Sequence, residues 1–164
     1  MKIAVCRAPS DYADWDAVCS LIHEAFAYMA GRIEPPSSAW QSTPQSVEAD
    51  AASGTLLLAK SGAALVGCAF LRSKQDALFV GKLAVRPSLH GRGIGKALVG
   101  AARAEAQALG LHVLELQTRI ELTENHAAFA RMGFTKTGET AHEGYDRSTS
   151  ITMRVPAQRL MLTE

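Results

Sequence analysis

The sequence predicts a mixed α/β domain built on one large central sheet. Three observations predict it. Seven short segments are apolar or alternate apolar with polar residues, as strands do. Two longer stretches, 11–29 and 93–109, space their apolar residues at helical intervals. A strand–helix–strand passage over 76–118 follows directly on a run of strands, and a crossover helix is how parallel neighbours are joined.

Each element has a local reason. Residues 3–7 read as a first strand, stopped by Pro9-Ser10-Asp11, which also offers helix caps. Over 11–29, Trp15, Val18, Leu21, Ile22, Ala25, Phe26 and Met29 recur at helical spacing. "AGRIEPPSSAWQSTP" follows; adjacent Pro35 and Pro36 forbid a helix and predict a long surface loop. Thr43-Pro44 then opens a short helix to Ala52, because proline suits the first helical turn. Segments 54–60 and 63–73 form a hairpin around Ser61-Gly62. Segment 76–85 is nearly all apolar, as expected of a strand buried on both faces. The helix over 93–109 is expected to bury Ile94, Ala97, Leu98, Ala101 and Ala108 and to end at Gly110 as a C-cap. Strands over 111–118, 134–140 and 150–155, with a short helix over 123–132, complete the chain.

The bulk numbers exclude several classes. The 164 residues suit one domain, 1–164, with a single real core. A net charge of +1 gives no electrostatic drive towards nucleic acid or anionic membrane. Among the apolar runs none reaches the roughly 18 residues of a membrane span, and the N-terminal segment reads as a strand, not a signal peptide. Cys6, Cys19 and Cys68 are too few for a disulfide framework and are expected to be buried hydrophobes of a cytoplasmic protein. The five histidines lack metal-ligand spacing, so no metal is expected.

The chemistry concentrates in "VRPSLHGRGIGKAL", 85–98. Gly91, Gly93 and Gly95 stand between a strand and a helix. Glycine is costly to order, so this density implies that bare backbone is used. First-turn amides of a helix lack intrahelical partners, and the helix dipole favours an anion there. Arg92 and Lys96 add positive charge, and together these features predict a diphosphate cradle. A P-loop would need Ser or Thr after Gly95-Lys96, where Ala97 stands. A dinucleotide fingerprint would need Gly-x-Gly-x-x-Gly after the first strand, and neither spacing nor position fits.

With "LAVRPSLHGRGIGKAL" and "ENHAAFARMGF" in view, the chain resembles the GNAT superfamily of acyl-CoA-dependent N-acyltransferases. The resemblance runs through the whole element order and is strongest over 78–134. His90 stands where the family usually has glutamine or arginine. The resemblance implies about seven strands and four helices, with a V-shaped splay between strands 4 and 5. It implies acetyl-CoA as co-substrate, held by Leu83, Ala84, Val85, His90, Gly91, Arg92, Gly93, Ile94, Gly95, Lys96, Asn125 and Phe129. Gly81 is a plausible bulge, with close packing as its other reading, and Asn125 reads either as a cofactor contact or as a helix cap.

Two departures stand out. Phe129 occupies the position of the family's usual acid, a tyrosine, and Phe has no proton to give. Residues 77–85 contain no carboxylate to serve as the usual base, and Asp76 lies at the strand's far end. Candidate substitutes are Tyr145 as acid and Glu121, Glu24 or His142 as base. On the acceptor side Arg32, Glu34, Trp40 and Arg119 are candidate contacts, with solvated loop charges as the alternative.

Three functions stay open at this stage. One is an N-acetyltransferase acting on a primary amine of a small molecule or peptide, a homodimer in some arrangement using its last strands as edges. Another is an acyl-CoA-binding sensor without catalysis, which Phe129 and the acid-free strand favour. The third is a nucleotide-binding protein.

Overall fold

The computed structural model describes residues 1–158. Strands β1 (Ala4–Arg7), β2 (Thr55–Ser61), β3 (Ala64–Lys74), β4 (Ala77–Val85), β5 (Val113–Arg119), β6 (Thr135–Thr140) and β7 (Ser150–Pro156) form a single sheet in the order β1-β2-β3-β4-β5-β7-β6. Among the described residues only β4 and β5 are parallel; every other pair is antiparallel. The helices are α1 (Trp15–Phe26), α2 (Pro44–Ala52), α3 (Ile94–Ala108) and α4 (Thr123–Arg131). The predicted element order and the parallel pair are therefore observed.

The core has two parts, one on each face of the sheet. Val18, Leu21 and Ile22 of α1 and Val47 of α2 bury against Leu56, Leu58, Cys68 and Phe70. On the other face Ile94, Leu98, Val99, Ala102 and Ala106 of α3 bury against Leu57, Val66, Leu78, Val80 and Leu114. Strand alternation assigns each residue its side. Gly67 of β3 sits under α3 because nothing larger fits: a Cβ there would lie 2.9 Å from Ile94 Cγ2 and 3.1 Å from Leu98 Cδ1.

Several local expectations are corrected. Helix α1 begins at Trp15 rather than Asp11, because Asp14 Oδ1 accepts the Ala17 amide at 3.4 Å and fixes the start there; Ala27–Met29 continue only as a 3-10 turn. The proline loop carries a 3-10 turn, Ser38–Gln41, capped by Ser37. Helix α3 starts after Gly93, and it buries Val99, Ala102 and Ala106, while Ala97 and Ala101 are half-buried and Ala108 is exposed. Its buried stripe drifts round the helix, so alanines alone are a poor guide to it. Gly110 follows the cap residue Leu109: its amide bonds Gln107 O at 3.1 Å and Leu111 N bonds Ala106 O at 2.9 Å. Cys6 is exposed, because β1 is an edge strand, whereas Cys19 and Cys68 are buried and burial pushes the Cys68 thiol up to about 12. Of the last two strands only β6 is an edge; β7 is inserted between β5 and β6.

Strand β4 is apolar, but it is buried on both faces only in part. Phe79, Gly81, Leu83 and Val85 are half-buried because the second half of β4 borders a gap. Between β3 and β4 the register passes from Phe70↔Gly81 to Cys68↔Ala84, so β4 carries one extra residue. The bulge falls at Lys82, which takes a left-handed φ of +46°, and not at Gly81 itself. It reverses the alternation: Val80 faces the α3 side, and so does Leu83 three residues later.

The close approach at Gly67 makes a direct prediction. Gly67→Ala should destabilise the protein by about 1–3 kcal/mol through overpacking beneath α3. A lowered urea midpoint with an unchanged slope is the expected result.

Candidate functional site

The site is built by strands that part. β4 and β5 pair only at Ala77↔Val113, Leu78↔Leu114 and Phe79↔Glu115, and from there they diverge. The foot of the V is held by charge. Glu115 is buried, and its two carboxylate oxygens are taken by Lys74 at 2.9 Å and Arg154 at 2.9 Å. Burial alone would raise the Glu115 pKa; these two cations outweigh it and hold the group below the usual range. Arg154 also binds Asp76 at 3.3 Å, which keeps that acid at the strand's far end and ionised.

Above the foot opens a cleft of about 620 Å³, whose walls include Leu83 and Val85 of β4, Leu116 and Gln117 of β5, and Asn125 and Phe129 of α4. The loop 86–93 stands at its mouth. Gly91 and Gly93 have φ of +82° and +81°, the left-handed region, and a Cβ on either would meet no protein atom within 4 Å. Gly93 caps α3 without any side-chain hydrogen bond, so the first-turn amides lack an acceptor from the protein. Arg92 and Lys96 flank them, exposed. Bare glycines, free amides and two cations fit a diphosphate. His90 is exposed and lines the cleft beside this loop.

The predicted acceptor residues Arg32, Glu34 and Arg119, with the acid and base candidates Tyr145 and Glu121, assemble into fastenings that hold the proline loop at the splayed end, where β5 finishes. Arg119 Nη1 and Nη2 donate to the Pro35 and Pro36 carbonyls at 2.7 and 3.2 Å. Glu121 Oε2 accepts the Glu34 amide at 3.0 Å, while its Oε1 is buried with no partner among the described residues. Arg32 pairs with Glu124 at 2.7 Å, and Tyr145 Oη donates to Glu34 Oε1 at 2.6 Å. Of these, only Arg119 lines the cleft. Trp40 lies outside it at 40% exposure, and Glu24 is turned to Arg86 at 3.3 Å.

Two further residues reach the cleft. His142, on the β6–β7 connection, bonds Thr149 Oγ1 through Nδ1 at 2.5 Å. Burial, reinforced by Arg119 and opposed by Glu121, holds its imidazole below the usual pKa range, so the ring is neutral at neutral pH. Tyr28, in the turn after α1, lines the cleft and accepts a hydrogen bond from Asn125 Nδ2 at 2.9 Å. Asn125 is therefore not a helix cap; that position belongs to Leu122. Tyr28 escaped the sequence reading. Its spacing marks only the end of a helix, and nothing local says that the chain returns it to α4, 97 residues away.

The model of the Acetyltransferase (GNAT) family matches residues 15–134, and the chain belongs to that family of CoA-dependent acetyltransferases. Solved structures with the same fold include the PaiA N-acetyltransferase of Thermoplasma acidophilum in complex with coenzyme A, at TM-score 0.80 and 14% identity over 95% of this chain and 99% of that one. The ribosomal-protein-S18-alanine N-acetyltransferase of Escherichia coli superposes at TM-score 0.71 with 15% identity, over 97% and 96% of the two chains. An IAA acetyltransferase of Bacillus cereus does so at 0.66 with 20% identity, over 94% and 99%. Comparison with the curated proteins gives no match. Among the described residues no group of side chains could hold a metal ion, and no helix is long and apolar enough to cross a membrane.

The glycine loop makes the second prediction. Gly93→Asp puts a side chain on a left-handed residue and a carboxylate against the anion's position. CoA binding measured by calorimetry should fall below detection; an unchanged affinity would remove the loop from the site.

Proposed function

We propose that the protein is an N-acetyltransferase that moves acetyl from acetyl-CoA directly to a primary amine of a small molecule or peptide. The observation that carries this reading is the parting of β4 and β5 immediately beyond Phe79↔Glu115, with the glycine-capped start of α3 at the mouth of the gap. The amides of the loop 91–96 would hold the diphosphate, with Arg92 and Lys96 beside them. The unpaired edge of Leu83, Ala84 and Val85 would receive the pantetheine arm as a sheet partner, and Phe129 would pack on it. Acetyl-CoA supplies an activated acyl group on a thiolate leaving group.

The residues of this chain then have three tasks. The first is positioning. Holding amine and thioester together in a closed cleft is worth up to about 7–11 kcal/mol in ideal cases. Free β4 amides near the acyl oxygen would stabilise the charge that develops there. The second task is taking a proton from the amine. His142 is the base best supported: it lines the cleft, it is neutral, and Thr149 orients its ring through Nδ1, leaving Nε2 for the acceptor side.

The third task is giving a proton to the departing sulfur. Of the three tyrosines, Tyr12 donates to the Asp14 carbonyl at 3.2 Å on another part of the surface. Tyr145 has committed its proton to Glu34, which also raises its pKa and makes it a poorer acid. Tyr28 alone lines the cleft, and because Asn125 donates to it, its own O–H is left free. Asn125 and Phe129 are one helical turn apart on α4, so Tyr28 approaches from across the cleft the place that Phe129 leaves without a proton.

Two experiments test the assignments. Tyr28→Phe should lower kcat by about 10²-fold with little change in CoA affinity, and adding Phe129→Tyr to that variant should restore part of the rate. The acid limb of kcat/KM in the wild type should lie below about 6.5, the ordinary histidine value, because activity requires the neutral ring and burial lowers its pKa. His142→Ala should remove that limb and lower kcat about 10²-fold. Tight acetyl-CoA binding with no CoA release on any amine would establish the sensor function instead, and stabilisation by ATP or NAD but not CoA would establish a nucleotide-binding protein.

A further inference from the structure

The charge of the cleft narrows the acceptor. Among the described residues its walls carry Arg72, Lys82 and Arg119 and no Asp or Glu. These three cations are not equivalent. Lys82 Nζ is neutralised by Asp50 at 2.7 Å. Arg119 spends its donors on the two proline carbonyls. Arg72 has no carboxylate within ion-pair distance among the described residues; its guanidinium lies over the Phe79 ring, 4.7 Å from the centroid. Glu115, on the strand beside Phe79, and Asp76, at the start of β4, are already matched by Lys74 and Arg154.

The face of the sheet matters equally. Arg72 shares its face of β3 with Phe70 and Cys68, which pack on the α1 side, whereas the glycine loop opens α3 on the other side. The donor's diphosphate therefore does not reach Arg72, and the arm between diphosphate and sulfur is uncharged. Arg72 and Phe79 are cross-strand partners at the last level where β4 still pairs with β5, so the guanidinium sits at the foot of the V on the acceptor face. Its contact with the ring holds the guanidinium there, and its N–H donors stay available to a planar or tetrahedral anion.

We propose that Arg72 is the anion-recognising residue of the acceptor site, and that the acceptor is an amine bearing a carboxylate or phosphate-type group, not a polyamine or other polycation. This rests on the acetyltransferase reading above. Leu83 lies four positions beyond Phe79, about 13 Å of strand, so the anion lies several bonds from the amine. The cationic walls also lower the pKa of an ammonium group entering the cleft, which helps it lose its proton to His142.

The test uses the full-length chain and matched acceptors. These are the straight-chain ω-amino acids from glycine to 6-aminohexanoate, the alkylamines of equal length, the aminoalkylphosphonates, and spermidine. The first readout is calorimetric binding of each to the CoA-loaded protein; the second is CoA release from acetyl-CoA. The expected result is binding and turnover of a longer anionic amine, with the alkylamine of that length at least tenfold weaker. Arg72→Ala should raise KM and Kd for the anionic member about 10- to 100-fold and leave the alkylamine unchanged. Arg72→Lys should recover part of the loss, and Arg72→Glu should reverse the order in favour of spermidine. Carboxylate and phosphonate arms tell which anion is preferred. Wild-type preference for spermidine or alkylamines, no binding of any anionic amine, or equal losses for all acceptors in Arg72→Ala overturns the proposal. Acceptor binding lost in Arg72→Ala, with no CoA release from any amine in the wild type, leaves the anion site standing and overturns the acetyltransferase reading.

Discussion

The whole arrangement depends on one failure of hydrogen bonding. Parallel strands β4 and β5 hold each other for three residue pairs and then let go. Unpaired backbone edges are costly unless something satisfies them, and here they line a cleft open to water or a ligand. Lys82, left-handed at the bulge, turns β4 away from β5 as it reverses the strand's alternation. The buried Glu115, clasped by Lys74 and Arg154, keeps the strands together below that level. A buried carboxylate without those partners would be costly, so the foot of the V is an ionic hinge point inside an otherwise apolar sheet.

The opposite end is closed differently. The proline loop has few apolar contacts of its own, with Ile33 and Ala39 its buried apolar side chains. It is held by polar contacts from distant parts of the chain: Arg119 on two carbonyls, Glu121 on an amide, Glu124 on Arg32, Tyr145 on Glu34. Exposed ion pairs are individually weak, about 0–1 kcal/mol. Arg119 is different because its guanidinium is half-buried: burial lowers its pKa, and the nearby Glu121 charge only partly opposes this. The loop is thereby set over the acceptor end, joined to the α1-side core through Ala39.

The chemistry of the site follows from this frame. A carboxylate-free β4 and a phenylalanine at 129 leave the cleft wall positive and short of proton carriers on its own helices and strands. The groups that can carry protons arrive on connections instead: Tyr28 from the turn after α1 and His142 from the β6–β7 loop. Their placement relies on fixed partners, Asn125 and Thr149, rather than on regular secondary structure.

Residue type and spacing determined the element order, the parallel pair and the glycine loop, because alternation, helical periodicity and Gly91, Gly93 and Gly95 are local signals that survive in one dimension. The start of α1, the stripe of α3 and the site of the bulge were legible only to within a few residues, since caps and packing choose among near-equal local options. Tertiary structure alone decided which charges face the cleft. Arg32, Glu34 and Glu121 have the composition of a binding site but are fastened to the loop, while Arg72 and Tyr28 carry no motif and line the cavity. The reason is physical: a side chain's role here depends on which partner neutralises it, and those partners lie dozens of residues away in the chain, brought close only by the sheet.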